Sequence, residues 1–160
     1  MALEQFTTFY INESLYGINV RFVREINRNT DVTPVEMAPD YIRGLLNLRG
    51  QIVTVLDCGV RIGLPKKNIG ATSRCIVLKT GDDLAKISDS NAGELQTSHD
   101  VIGLLIDKIG DMVTVSDDVI EPPPANSGGI DGKFFEGVIK LERELLVLLK
   151  LDEILQTENA

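Results

Sequence analysis

Short apolar or alternating runs, each closed by a polar turn, dominate this chain and predict strands far more often than helices. Gln5–Ile11 is rich in Phe, Thr and Tyr and runs into Asn12-Glu13-Ser14. It reads as the first arm of a hairpin whose second arm is Leu15–Val20. Gln51–Asp57, Ser73–Thr80 and Val101–Ile109 predict further strands, and Met112–Val115 a short one after the Gly110-Asp111 turn. Phe134–Leu141 and Leu145–Lys150 predict a last hairpin around Glu142-Arg143. Helical spacing is confined to short pieces. Val20, Val23 and Ile26, with Arg21, Arg24 and Glu25 between them, predict an amphipathic helix over Val20–Ile26. Pro39 predicts a helix over Pro39–Leu46, placed in the first turn where its missing N–H is harmless. Asp117-Asp118 begins a helical turn, where negative charge is favourable. Asp152–Gln156 predicts a terminal turn with Asp152 as N-cap.

Many short strands with polar turns indicate an all-β barrel or sandwich with a few short helices. The run Leu145-Leu146-Val147-Leu148-Leu149 does not alternate, so both of its faces must be covered. Two small barrels packed on each other provide that cover; a single open sheet does not. Glu121-Pro122-Pro123-Pro124 is a stiff connector, because proline lacks the donor and fixes φ. Gly81–Asp100, rich in Ser, Asp, Asn and Gly, reads as a long surface loop within a single domain spanning residues 1–160.

Composition narrows the function more than the fold. At 160 residues, 43% hydrophobic and 25% charged, the chain is an ordinary globular domain, or two small subdomains sharing a core. A formal net charge of −8 with no basic run argues against nucleic acid and against anionic membrane surfaces. No apolar run approaches the roughly 20 residues that span a bilayer, and MALEQFTTFY lacks the layout of a signal peptide, so the cytoplasm is the expected compartment. Cys58 and Cys75 fit no metal or redox spacing and are expected as free buried thiols. The one histidine, His99, lies in the polar loop and is expected to be solvated. Asp89, Asn91 and Gly93 resemble part of a calcium loop, but Glu94 stands where such a loop requires glycine. Asp82-Asp83 and Asp117-Asp118 are adjacent carboxylates that do not converge on one bond, and no phosphate-binding or nucleophile motif is present. These features predict no catalysis, no cofactor and no metal. A binding module remains, which needs exposed apolar surface rimmed by charges.

The most informative stretch is Tyr41–Pro65, YIRGLLNLRGQIVTVLDCGVRIGLP. Its Gly44, Asn47, Leu48, Arg49 and Gly50, the apolar strand after them and Asp57 resemble the core signature of the CheW family, adaptors of bacterial chemotaxis. Thr54 and Cys58-Gly59 depart from the family's usual residues there, and the 81–100 loop is longer than in many members. The resemblance covers Gln5 to Leu155. It implies two SH3-like five-stranded β-barrel subdomains sharing a hydrophobic core. It also implies a non-catalytic role, coupling the cytoplasmic tip of methyl-accepting chemoreceptors to the regulatory domain of a CheA-type histidine kinase, recruited to membrane-receptor arrays without direct membrane insertion.

By the same resemblance, receptor binding falls on Val23, Glu25 and Arg49, with Gly44, Gly103 and Gly137 as close-approach positions shaping the region. Each has a plainer explanation. Glu25 and Arg49 could form a surface ion pair worth about 0–1 kcal/mol. Val23 could simply pack its element onto the barrel, and the glycines could serve turns or bulges. Two other functions stay open: a sister pathway such as pilus or gliding motility, and a small-molecule sensor holding its ligand between the barrels.

Overall fold

The structure, a computed structural model, describes residues 2–79, 101–123, 126–127 and 130–156. The 81–100 loop with His99, Asp82-Asp83 and the calcium-like residues lies outside the described residues, as does Pro124 of the connector. The chain forms β1 (Leu3–Ile11), β2 (Ser14–Asn19), β3 (Val23–Asn27), β4 (Ile42–Leu48), β5 (Gln51–Asp57) and a short helix α1 (Cys58–Arg61). Then come β6 (Arg74–Leu78), β7 (Ile102–Ile106), β8 (Lys108–Ile109), β9 (Val113–Ser116), a small β10–β11 pair (Asn126–Ser127, Ile130–Asp131), β12 (Phe135–Lys140), β13 (Leu145–Leu149) and α2 (Leu151–Leu155).

Two sheets result, one ordered β12-β13-β2-β1-β8 with β9 also on β1, the other β3-β6-β7-β5-β4. In the first, β8 pairs with the end of β1 and β9 with its beginning, so the two share one strand position. Six strands thus fill five places, as the SH3-like pattern requires. Each sheet curls until its edges approach. Past β9, a 3₁₀ turn (Asp117–Val119) leads to Glu121, which exchanges backbone hydrogen bonds of 2.9 Å with Val138 of the opposite edge. In the second sheet the link is made by side chains, described below.

Val101–Ile109, which reads as one strand, is divided between the sheets: β7 lies in the second and β8 in the first. Asp107 makes the corner. Its carboxylate accepts from the Asn12 amide at 2.6 Å and pairs with Lys67, while its carbonyl accepts from Thr72 Oγ1 at 2.8 Å. Residues of both sheets fill a shared core, including Phe9, Tyr16 and Ile18 from the first and Leu56, Ile76 and Leu104 from the second. Fully burying such a side chain contributes about 1.5–3 kcal/mol. β13 is covered on both faces toward its end, though Leu145 at its start is 54% exposed. Leu146 and Leu148 pack with Phe6, Leu15 and Ile139, while Leu149 and Val147 face the shared core.

Two predicted helices are strands. Over Val20–Ile26 only Val20–Phe22 is helical, a single 3₁₀ turn whose Arg21 amide donates to Asn19 Oδ1 at 3.0 Å. Val23–Asn27 then pairs with β6, and a bulge between Val23 and Glu25 inserts Arg24. That extra residue puts Val23 and Ile26 on one face at a spacing of three, mimicking a helical period. Pro39–Leu46 fails the same way. β4 starts at Ile42, a bulge lies between Ile42 and Gly44, and Leu46 and Leu48 then alternate inward while Leu45 and Asn47 face out. Asp152 is not an N-cap either: α2 begins at Leu151 after Lys150, and Asp152 lies in its first turn.

Candidate functional site

Asn47–Gly50 makes a two-residue hairpin turn. Arg49 and Gly50 both have positive φ, +52° and +88°, the pairing that a tight right-twisted hairpin demands. Asn47 Oδ1 accepts from the Gly50 amide at 2.9 Å and braces it. The turn throws the Arg49 side chain across the open seam of the second sheet onto the far edge strand, β3, where its guanidinium donates to Glu25 Oε2. Beside it, Arg24 Nη1 donates to Gln51 Oε1 at 3.1 Å. These two contacts draw together the edges of the five-stranded sheet, β3 and the β4–β5 hairpin. Hydrogen bonds from Arg49, and then from the Asn27 amide, hold the Glu25 carboxyl below its ordinary value against a smaller opposing effect of burial.

The sequence-derived site residues occupy different situations. Glu25 and Arg49 meet directly. Val23 shares β3 with Glu25 but packs, half-buried, against the shared core. Gly44, with φ +144°, lies under the Val32–Thr33 segment, which bridges to Leu45 by two 2.8 Å backbone hydrogen bonds. A Cβ there would overlap the Thr33 carbonyl and sit 2.8 Å from Val32 Cγ1. Gly103 is interior: a Cβ would overlap Cys75 Sγ and stand 3.1 Å from Val53 Cγ1. Gly137 belongs to the other sheet, at a β12 bulge, where a Cβ would be 2.7 Å from Ile120 Cγ2. The three glycines are thus not gathered around the ion pair; each is a place where another segment passes too close for a side chain.

Sequence reasoning missed the apolar surface beside the pair. Leu45 and Ile52 are diagonal neighbours on the outer face of β4–β5, with Ile52 55% exposed, and Ile26 is exposed on β3. The alternation Leu45-out, Leu46-in was the available signal, hidden by reading β4 as helix. Both cysteines are buried free thiols. Desolvation pushes Cys58 up strongly and Cys75 to about 12, so neither is ionised near neutrality.

The seam lined by Ile11, Asn12, Arg43 and Asp57 has about 20 Å³, room for one water. A larger cleft of about 340 Å³ opens on the first sheet, over Phe6, Ile18 and Leu148, with Glu4, Glu136 and Asp152 among its rim. Burial, and then the neighbouring Asp152, raise the Glu136 carboxyl. Among the described residues no cluster of His, Cys, Asp and Glu is disposed to hold a metal, and no helix is long and apolar enough to cross a membrane.

Known proteins match this chain along nearly all of its length. The chemotaxis protein CheW of Rhizobium meliloti is 30% identical over 151 residues, covering 94% of this chain and 86% of its own. The probable chemotaxis protein CheW of Rhizobium etli is 28% identical over 152 residues, covering 94% and 87%. Protein FrzA of Myxococcus xanthus is 24% identical over 156 residues, covering 96% and 86%. Among solved structures, the scaffolding protein TtCheW from Thermoanaerobacter tengcongensis superposes with a TM-score of 0.79 at 26% identity, covering all of this chain and 92% of its own. The family model described as a CheW-like domain matches residues 5–159, and with the paired, curled sheets and shared core it establishes that this chain belongs to the CheW-like family of chemotaxis proteins.

Proposed function

We propose that this protein is a non-catalytic adaptor that couples methyl-accepting chemoreceptors to a CheA-type histidine kinase. The observation that carries this reading is the exposed apolar pair Leu45 and Ile52 on the β4–β5 hairpin, with Ile26 exposed on β3, on the two elements that the Glu25–Arg49 pair links. An apolar centre with a charged rim is the make-up of a docking patch. Membership of the CheW-like family supports a chemotaxis pathway as the setting.

In this reading the receptor's helical tip engages the surface around Val23, Glu25 and Arg49. The kinase's SH3-like regulatory domain takes a separate surface. Gly44, Gly103 and Gly137 act indirectly, by leaving room for the groups packed against them. Holding both partners raises their effective concentration and fixes their orientation, so the receptor's state biases the kinase. The adaptor needs no cofactor and works in the cytoplasm, brought to receptor arrays by its partners. The likeness to protein FrzA favours, as a second reading, the same mechanism in a related chemosensory pathway.

The test is kinase autophosphorylation with and without receptor fragments and this protein. Strong stimulation that needs all three components is expected. A folded protein that binds neither partner and stimulates nothing would overturn the reading.

A further inference from the structure

Arg61 closes α1, on the second sheet's side of the molecule, yet all its polar partners belong to the chain after the first sheet. Its Nε donates to the Ile154 carbonyl at 2.8 Å, and its Nη2 donates to those of Glu153 at 3.0 Å and Gln156 at 2.6 Å. Three carbonyls at the carboxyl end of α2 and its cap, of which only that of Glu153 also accepts a backbone bond, from the Gln156 amide at 3.4 Å, are met by one cation placed where the helix dipole favours it. The guanidinium also lies 5.0 Å from the Tyr41 ring centroid and 5.2 Å from that of Phe134. Tyr41 leads into β4 of the second sheet; Phe134 leads into β12 of the first.

The base of Arg61 is equally fixed. Asp57 caps α1, its Oδ1 accepting from the Val60 amide at 3.2 Å, and its Oδ2 accepts from Arg43 Nε of β4 at 2.8 Å. Arg43 and Asp57 thus tie α1 to the β4–β5 hairpin, and Arg61, the last residue of α1, reaches across to α2. The close-packed shared core already joins the sheets, and to it the planar Arg61 fork adds directional bonds with set acceptors. α2 has five residues, too few to persist without tertiary support.

We infer that Arg61 is a positioning residue: it locks α2 to the β4–β5 hairpin and so holds the two sheets, and any partners bound to them, in one orientation. The functional half of this inference rests on the adaptor reading; the structural half does not.

The experiment uses the full chain carrying Arg61→Met, which keeps the stem and removes the fork, and Arg61→Lys, which keeps the charge alone. Native-state hydrogen exchange should quicken at the Ile154 and Gln156 amides by at least about tenfold in Arg61→Met, with the β5 amides unchanged. Affinities for the kinase regulatory domain and for the receptor fragment, measured separately, should stay within about twofold of wild type, whereas three-component stimulation should fall at least about fivefold. Arg61→Lys should be intermediate in both, and it carries the test if Arg61→Met does not fold. Unchanged exchange at α2 overturns the lock. Faster exchange with full stimulation overturns the positioning role. Binary and ternary activity falling together reduces Arg61 to a stabilising residue. If wild type itself couples nothing, the adaptor reading and the positioning role that rests on it both fail, and the exchange measurement still decides the lock.

Discussion

Gly103→Ala probes whether a family-associated glycine serves packing or contact. Gly103 lies on β7 between Val55 of β5 and Val77 of β6, so its backbone is held by ladders on both sides. An added Cβ would run into Cys75 Sγ and press on Val53 Cγ1 at 3.1 Å, and both of those residues are fully buried. Overpacking of this kind costs about 1–3 kcal/mol, and the upper half applies because central strands cannot retreat. Cys75→Ala removes the obstructing sulfur and leaves a small void costing about 1 kcal/mol. In the double variant the new methyl enters that void, so the two effects should be less than additive by about 1–2 kcal/mol. Urea unfolding followed by far-UV circular dichroism measures all three variants, with constant m required before they are compared. At about 2–4 °C per kcal/mol for a domain of this size, Gly103→Ala alone should lower Tm by about 4–12 °C. Additivity within about 0.5 kcal/mol would refute the clash with Cys75. A Gly103→Ala protein that melts like wild type but fails to bind a partner would instead place this glycine at a contact.

Three further expectations are simpler. Arg49→Glu should shift Tm by only a few degrees, since Arg49 is 70% exposed and an exposed pair contributes about 0–1 kcal/mol, yet it should weaken receptor coupling; a large loss of stability with normal coupling per folded molecule would make Arg49 structural. Because the Glu25 carboxyl is held below its reference value of 4.5, its stabilising effect is fully present above that value and is lost as pH falls through the folded value. Urea midpoints from about pH 6 to about pH 3 should therefore fall more steeply for wild type than for Glu25→Gln, and parallel curves would contradict the ion pair's role. Cys58 and Cys75 should resist alkylation in the native protein and react together on unfolding, so rapid native labelling of either would mean its cover opens locally.

Hydropathy alternation and turn chemistry by themselves determined the strand-rich class, the β1–β2 and β12–β13 hairpins, the extent of β5, and the need for cover on both faces of β13. These are local matters: a two-residue period and a polar break set them before any distant contact forms. The motif at Asn47–Gly50 marked the tight turn between β4 and β5, because such a hairpin demands particular residues at particular offsets. Tertiary structure decided the rest. Bulges at Arg24 and beside Gly44 are relations between two strands, and alone they turn a helical-looking spacing into a pleated one. The corner at Asp107 depends on Asn12, Lys67 and Thr72, none of them near it in sequence. The Glu25–Arg49 contact spans 24 residues and exists because the second sheet curls until its first and last edges meet. Arg61, unremarkable in the sequence, becomes the meeting point of two sheets only when α2 folds back 92 to 95 residues later to place its carbonyls there.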